Sequence, residues 1–320
     1  MNQRIIDIFE QLRKIYDVLG EVYKEKAYRT AITSIKKLNY EITKDRLPDT
    51  KDNKIAGVGV GLINKITEIV NHGRAAELDE LRADPKVRAF ETFSNTIGFG
   101  PAFIRHLVSK KIYDHVTLRR ALAKRKIELT NAQKLGVMYY DDLIKRIPRA
   151  EVEKLGNYFI NLVRREDPAA IAQIVGSYRR ELSTSGDVDI ICVAKTDVDN
   201  FEKNLYNDPC YINTISRGPQ RVTFLYCSKY GDTLTARQID ILWVPPESYA
   251  AALLYFTGSA NFNQMMRAVA QKMGYRLNQI GLYKVHNGNA QNKLQLIPTK
   301  TERDIFAELS MTYVEPRDRH

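Results

Sequence analysis

Two aspartates directly before an apolar run constrain the fold of this chain more than any other feature. Asp187 and Asp189 precede Ile190-Ile191-Cys192-Val193, a β-branched run typical of a buried strand. Residues two apart on a strand point to the same face, so the two carboxylates would lie side by side. Like charges this close repel each other unless a cation lies between them. The spacing therefore predicts a strand that carries a divalent-metal site at its start.

A Gly-Ser pair upstream opens a predicted helix. Gly176 and Ser177 offer backbone N–H groups and a hydroxyl, which are the donors that a phosphate meets at a helix N-terminus. Arg180 adds a planar guanidinium that suits phosphate, although a surface ion pair with Glu181 is the alternative. A phosphate site beside a metal site indicates phosphoryl or nucleotidyl transfer.

Asp240 is the expected third carboxylate of this site. It lies in the strand-like run 238–243, where an unpaired charge would be costly to bury. We expect Asp187 and Asp189 to bridge two Mg²⁺ ions, and Asp240 to complete the site that activates the attacking hydroxyl. An exposed position on an edge strand is the alternative for Asp240.

The periodicity of apolar residues changes along the chain. Residues 1 to about 145 show spacings of three and four, typical of short helices, whereas β-branched runs begin at about residue 172. This predicts an all-helical front, an α/β middle and a small mixed end. The strands are predicted at 190–193, 221–227 and 238–244, and the later helices at 247–255, 262–273 and 301–311.

The net charge of +11 is concentrated in residues 81–150, which hold 15 Lys and Arg against 6 Asp and Glu. Such a segment is typical of a polyanion partner, with a solvated helical face as the alternative. No apolar run is long enough to span a membrane, and residues 1–9 do not form a secretory signal. The three cysteines lack zinc-site spacing and are expected to be free thiols.

A Gly-apolar-Gly triplet occurs twice, each time directly before a predicted helix. The first copy contains Gly57 and Gly59, and the second contains Gly98 and Gly100. This arrangement is typical of a hairpin whose N–H groups hold a phosphate at the start of the following helix. The repeat indicates sequence-independent binding of a nucleic-acid backbone, with two ordinary loop-to-helix turns as the alternative.

The segments 176–189 and 253–259 (Leu-Leu-Tyr-Phe-Thr-Gly-Ser) together resemble the family X DNA polymerases. Residues 146–149 and 315–319 also fit, and the resemblance covers essentially the whole chain. The segment 253–259 is specific to the family, whereas the Gly-Ser and Asp-x-Asp motifs alone indicate the wider nucleotidyltransferase superfamily. The resemblance implies an α+β multidomain fold. Its domains would be a helical 5′-deoxyribose phosphate lyase-like domain at 1–80, a helical duplex-DNA-binding domain at 81–148, a catalytic palm at 149–246 and a small mixed α/β nucleotide-selection domain at 247–320.

The resemblance also implies roles for individual residues. A backbone carbonyl in the turn under the incoming sugar would crowd a ribose 2′-hydroxyl and so favour dNTPs. The implied metal ligands are Asp187, Asp189 and Asp240, and the implied phosphate contacts are Arg146, Gly176, Ser177, Arg180, Ser185 and Gly186. The turn under the sugar corresponds to Tyr255, Phe256, Thr257 and Gly258, the minor-groove contact to the incoming base to Asn263, and the template contact to Arg267.

A second activity is implied at the front of the chain. Lys65 matches the lysine with which the family forms a Schiff base on an abasic sugar, a step that needs the neutral amine and therefore a lowered pKa. A solvated helix lysine is the alternative. Two family positions differ, because a phosphate-binding lysine falls on Gly61 and an acid falls on Asn64. The residues expected to serve the 5′-phosphate are Lys24, Tyr28 and Lys54.

Three further departures concern the opening and closing of the polymerase site. The arginines that the family places two residues before and two after the third aspartate are Gln238 and Leu242 here. The glutamate that pairs with the second of these arginines falls on Gln279. Both sides of this ion pair are lost together, which predicts a different control of closing.

The expected function is therefore template-directed, gap-filling DNA synthesis in base excision repair, with 5′-deoxyribose phosphate lyase activity through Lys65. The expected cofactors are two Mg²⁺ ions, with Mn²⁺ and a Na⁺ or K⁺ at the hairpins left open. The expected partners are gapped or nicked DNA and a dNTP, bound by a monomer in the nucleus, with a cytoplasmic or viral setting as alternatives. A template-independent nucleotidyltransferase and a non-catalytic DNA-gap-binding protein are the rival functions.

Overall fold

A computed structural model of the chain describes residues 2–48, 54–230, 233–286 and 293–319. The chain divides into two compact units, Met1–Gln133 and Lys134–His320. The helices are α1 Gln3–Leu19, α2 Val22–Lys36, α3 Val60–His72, α4 Ala76–Ala83, α5 Pro85–Ser94, α6 Pro101–Ser109, α7 His115–Ala123, α8 Asn131–Met138, α9 Tyr140–Leu143, α10 Arg149–Glu166, α11 Gly176–Arg179, α12 Val198–Leu205, α13 Tyr249–Thr257, α14 Ala260–Lys272 and α15 Glu302–Glu308. The strands are β1 Ile147–Pro148, β2 Ile171–Ile174, β3 Thr184–Ser185, β4 Val188–Val193, β5 Tyr211–Gly218, β6 Arg221–Tyr230, β7 Thr233–Trp243, β8 Tyr275–Leu277, β9 Leu282–His286 and β10 Lys293–Ile297.

The first unit is helical throughout the residues described. Helix α1 buries one face, including Phe9 and Leu12, in a core that α2 and α3 complete with Ile32 and Ile66. The spacing of three and four between apolar residues is what gives each helix this single buried face. None of the helices in the described ranges is long and apolar enough to cross a membrane.

Both predicted hairpins are present in this unit, and glycine is required at the first position of each. Gly57 and Gly98 have φ values of 76° and 77°, in the left-handed region that side chains rarely adopt. Gly59 and Gly100 are the N-caps of α3 and α6, with extended backbone. The two copies therefore share one geometry, with the turn leading directly into a helix N-terminus.

The second unit is built on a five-stranded sheet with the strand order β2-β4-β7-β6-β5. The pair β4 and β7 is parallel, and the other neighbours are antiparallel. Helix α10 packs on the sheet through Phe159, which meets Phe224 edge to face. The C-terminal part of the unit adds α13–α15 and the small sheet β10-β9-β8 around a separate core that includes Phe262 and Phe306.

The fold class predicted from the sequence is confirmed, and the strand at 190–193 begins slightly earlier, at Val188. The last helix is shorter than expected and spans Glu302–Glu308. Strand β5 was not predicted, because it is an edge strand in which polar residues interrupt the apolar ones and whose register is irregular. The four-domain division of the chain stays a prediction.

Candidate active site

Strands β4 and β7 bring two of the predicted aspartates together. Asp189 and Asp240 are direct partners in the register of this parallel pair, so their side chains lie on the same face of adjacent strands. Asp187 directly precedes β4. Thr223 of β6 lies opposite Asp240 on its other side. The structure thus gathers the three carboxylates at the start of β4.

The carboxylates perturb one another. Burial first, and then the charges of Asp187 and Asp240, raise the pKa of Asp189 to about 8. Burial and the neighbouring Asp240 also raise the pKa of Asp187 above its ordinary value. Oxygen donors that repel each other in this way suit a hard divalent cation, which would relieve the repulsion. The residues present therefore fit a divalent-metal site.

Gly176 makes room for one of these carboxylates. Its φ is 59°, and a Cβ atom at this position would lie 2.2 Å from Oδ2 of Asp189. Any other residue would therefore both strain the backbone and collide with the carboxylate. The backbone N–H of Val175 donates to the carbonyl of Asp189 at 2.9 Å, which fixes the Gly-Ser turn against β4.

Asp240 is held by a residue that sequence analysis missed. Arg221 of β6 donates from Nε to Oδ1 of Asp240 at 2.8 Å and from its Nη2 to Oδ2. Asp240 is buried, whereas about half of the Arg221 side chain is exposed. No three His, Cys, Asp or Glu side chains form a ready metal-binding group in the part of the chain described. Both oxygens of the third carboxylate are thus committed to a guanidinium.

The guanidinium of Arg221 lies close to the third aspartate, beside which Gln238 and Leu242 replace two arginines of the family. Arg221 lies opposite Leu242 in the register of β6 and β7, so it reaches Asp240 from the neighbouring strand. Gln279 is exposed in a bend that follows β8. The charge that contacts Asp240 therefore comes from a position that local sequence around Asp240 does not reveal.

The residues predicted to bind phosphates surround the Gly-Ser turn. Ser177 donates its hydroxyl to Oγ of Ser185 at 2.8 Å. Pairing of β1 with β3 positions Arg146, whose Nη2 donates to the carbonyl of Thr184 at 2.8 Å. A Cβ at Gly186 would lie 3.2 Å from Nη1 of Arg146. The structure brings these four predicted residues into one cluster.

Arg180 extends from the same turn towards the end of α13. Its Nη1 donates to the carbonyl of Thr257, and a Cβ at Gly258 would lie 3.1 Å from that nitrogen. Tyr255, Phe256 and Thr257, expected in a turn, form the last turn of α13. Asn263 of α14 donates from Nδ2 to the carbonyl of Tyr255 at 2.7 Å. Arg180 therefore links the Gly-Ser turn to this segment.

Arg267 lies apart from this cluster of contacts. It is exposed on α14 and lines a cavity of about 660 Å³ together with Gln271 and Arg276. Its predicted template contact stays a prediction.

A buried ion network fastens α11 to the C-terminal residues. Glu302 accepts from Nη2 of Arg179 at 2.7 Å and from Nη1 of Arg319 at 2.6 Å. Arg319 is fully buried and Glu302 is 5% exposed. Arg179 also donates to the hydroxyl of Thr257 at 2.6 Å. This network, which sequence analysis did not find, fixes the end of α13 relative to the Gly-Ser turn.

Lys65 forms a separate cluster in the first unit. Its Nζ lies 2.6 Å from Oε2 of Glu77, which also accepts hydrogen bonds from the hydroxyls of Tyr16 and Tyr28. Burial opposes ionisation of Glu77, but these donors lower its pKa overall. Lys24 lies over the ring of Tyr16, 4.7 Å from its centroid. The structure thus brings Lys24 and Tyr28 to the region of Lys65.

Within the described ranges, no side-chain hydrogen bond or ion pair joins the other residues considered with Lys65 to its cluster. Lys54 is exposed at the start of the first hairpin. Gly61 lies in the first turn of α3, with open space where a Cβ would point. Asn64 is exposed on the same helix. The acid nearest to Lys65 is therefore Glu77, from the following helix α4, rather than a neighbour in sequence.

Comparison with known proteins agrees with this architecture. Family models described as DNA polymerase beta palm and DNA polymerase beta thumb match residues 146–246 and 252–320, and one described as a helix-hairpin-helix domain matches residues 1–75. DNA polymerase lambda of Arabidopsis thaliana is 31% identical over 340 residues, covering 100% of this chain and 62% of that protein. DNA polymerase lambda of Rattus norvegicus is 29% identical over 337 residues, covering 99% of this chain and 56% of that protein.

A third relative is not named a DNA polymerase. DNA nucleotidylexotransferase of Xenopus laevis is 24% identical over 361 residues, covering 100% of this chain and 68% of that protein. The chain spans less than two thirds of the length of the two DNA polymerase lambda relatives. The matched models cover most of the chain, and it belongs to family X of the DNA polymerases.

Proposed function

We propose that the chain is a template-directed DNA polymerase that adds deoxynucleotides to a primer 3′-hydroxyl. The observation that carries the proposal is the register of Asp189 with Asp240, with Asp187 beside them and the Gly-Ser turn packed against β4. Asp187, Asp189 and Asp240 would hold two divalent cations, with Mg²⁺ preferred and Mn²⁺ as the alternative, once Arg221 releases the oxygens of Asp240. When bound, the cations supply activation of the 3′-hydroxyl and neutralise charge on the triphosphate.

The cluster around the Gly-Ser turn would bind the triphosphate. Arg146, Ser177 and Arg180 offer two guanidinium groups and a hydroxyl, and Ser185 and the backbone at Gly186 complete the cluster. Each of these donors is held by a contact within the unit, which orders the site before the nucleotide arrives.

The end of α13 would lie under the sugar of the incoming nucleotide. Tyr255, Phe256 and Gly258 belong to this segment, which Arg180 and Arg179 hold through Thr257. Asn263 uses one N–H of Nδ2 on the carbonyl of Tyr255, which leaves the second N–H to donate to the minor-groove edge of the base. Arg267 would contact the template strand.

The rival within the same superfamily is template-independent extension, and a DNA nucleotidylexotransferase is among the relatives of the chain. Extension on a DNA with a one-nucleotide gap and a 5′-phosphate, on an open primer–template, and on a lone single strand separates the two functions. We expect insertion of the complementary dNMP on the gap, less on the open primer–template, and none on the single strand. Extension of the single strand at a comparable rate would contradict the proposal.

We further propose a 5′-deoxyribose phosphate lyase activity at Lys65, which would make the chain a gap-filling enzyme of base excision repair. Once Nζ of Lys65 has lost its proton to solvent, it would attack the C1′ aldehyde, and loss of water would form the Schiff base. Loss of the C2′ proton to solvent would then break the C3′–O bond and release the 3′-phosphate by β-elimination. The support is its cluster with Glu77 and Tyr28, which holds the amine in one position. Binding of a 5′-phosphate by Lys24, Tyr28 and Lys54 also belongs to this proposal.

Lys65→Ala should abolish borohydride trapping of the chain on a 5′-deoxyribose phosphate end, because the Schiff base needs this amine. Primer extension should continue. The matched control is Lys37→Ala, which removes an exposed lysine from the same unit. Trapping that persists in Lys65→Ala would transfer the reaction to another amine.

The cellular location, the oligomeric state and the monovalent cation are inferred from the family alone. A nuclear location, a monomeric state and a Na⁺ or K⁺ at the hairpins stay predictions. The hairpins at Gly57–Gly59 and Gly98–Gly100 would hold the DNA backbone on either side of the gap.

A further inference from the structure

A concave and strongly basic surface lies where helices α6 and α7 end. This basic cavity measures about 530 Å³. Its cations are exposed, whereas the apolar residues between them are largely buried. It is lined by Lys110, Lys111, Arg120, Lys124 and Lys126, together with Ile112, Thr117, Ala121 and Ile127.

Two backbone reversals of the same kind shape the basic cavity. Lys111 follows the end of α6 with φ of 58°, and Arg125 follows the end of α7 with φ of 52°. After each reversal an N–H closes the turn on the preceding helix, at 3.0 Å for Ile112 and 2.9 Å for Lys126. The left-handed region is uncommon for residues other than glycine. The basic residues are therefore carried by hydrogen-bonded turns and not by a loose loop.

The charge of the basic cavity is not balanced locally. Within the described ranges, none of its five cations forms an ion pair with a carboxylate. The two helix C-termini attract cations, but each carries only about half a negative charge. Most of the positive charge thus remains to repel itself, and a polyanion would relieve that repulsion.

The basic cavity is separate from the hairpin at Gly98–Gly100. The hairpin lies at the N-terminal end of α6 and the basic cavity at its C-terminal end. The helix has 9 residues, and a rise of 1.5 Å per residue places the two ends about 13 Å apart. A phosphate held by the hairpin N–H groups is therefore not the group that occupies the basic cavity.

We propose that the basic cavity binds the sugar–phosphate backbone of a nucleic-acid segment beyond the one held at the hairpin. Four of the five cations are lysines, which act as point charges on phosphates and do not read bases through a planar fork. The buried Ile112 and Ile127 give the sugars an apolar floor. The proposal rests on the proposed function only in taking DNA as the polyanion.

The test compares two triple variants of equal charge. Lys110→Gln/Lys124→Gln/Lys126→Gln changes the basic cavity, and Lys37→Gln/Lys44→Gln/Lys86→Gln removes three exposed lysines elsewhere in the same unit. Binding is measured by fluorescence anisotropy over a salt series, on gapped DNA whose flanks are one or three helical turns long. Circular dichroism checks that both variants are folded.

On the long DNA, the slope of log K against log salt should be shallower by about 2 to 3 for the cavity variant. Each lost phosphate contact reduces the slope by about 0.9. The control variant should keep the slope of the unmodified chain. Equal slopes for both variants on the long DNA would overturn the proposal. So would a change of slope in the cavity variant that is as large on the short DNA as on the long DNA. Failure of the polymerase function would appear separately, as absent extension with the difference in slope retained.

Discussion

Asp189→Asn should reduce primer extension by about a thousandfold or more without unfolding the second unit. Removing this oxygen charge would delete several kcal/mol of the transition-state stabilisation that the proposed metal site would supply. Because the pKa of Asp189 is raised to about 8, this carboxyl is largely protonated at neutral pH when no cation is bound. Asparagine copies the shape and neutrality of that protonated form, so the fold should tolerate it.

The pH dependence of stability gives an independent readout of the same substitution. A carboxyl with a raised pKa in the folded state loses its proton more readily in the unfolded chain. Without Mg²⁺ the free energy of unfolding should therefore fall as pH rises from the ordinary pKa of an aspartate to about 8. Asp189→Asn should remove this decline, and added Mg²⁺ should oppose it in the unmodified chain. The control Asp141→Asn, at an exposed carboxylate, should alter neither property. Normal extension by Asp189→Asn would contradict the metal site.

Glu302→Gln should lower the free energy of unfolding of the second unit by about 3 kcal/mol or more, as breaking a buried ion pair does. The substitution leaves Arg319, which is 0% exposed, without a counter-charge and weakens the hold of Glu302 on Arg179 of α11. Chemical denaturation followed by tryptophan fluorescence reports the change, since the one tryptophan, Trp243, lies in this unit.

The acid range distinguishes this effect from a general loss of packing. Burial opposes ionisation of Glu302, but Arg179 and Arg319 lower its pKa, so its stabilising effect is present above the ordinary pKa of a glutamate and is lost as pH falls through the lowered value. The deficit of Glu302→Gln should therefore shrink in acid. Glu315→Gln, which breaks an exposed pair with Arg303, should cost less than about 1 kcal/mol. Equal losses in the two variants would contradict the role of the buried network.

Sequence predicted the parts of the fold that depend on local pattern. The hairpins followed from two glycines at fixed spacing, and β4 followed from β-branched residues after Asp189. Local pattern alone does not place Asp240 beside Asp189. That placement also requires the two predicted strands to be neighbours in the right register. The apolar residues around each aspartate indicated buried strands, which made that pairing the simplest arrangement.

The contacts that sequence analysis missed join residues that no local pattern connects. Arg221 contacts Asp240 across 19 positions through the β6–β7 register. Arg179 contacts Glu302 across 123 positions. Glu77 meets Lys65 only because the chain turns between α3 and α4. Each of these charges looks like an ordinary surface residue in sequence, and its partner is decided by tertiary packing.

The pairing of Arg221 with Asp240 separates the folding of this unit from the supply of metal. Because a guanidinium from the chain itself satisfies the third carboxylate, this buried charge has a partner before any cation arrives. Folding of the unit then does not have to wait for a metal, unlike that of domains that stay unfolded until one binds. A newly made chain can complete its fold first, and the proposed cations would bind to a structure that already exists.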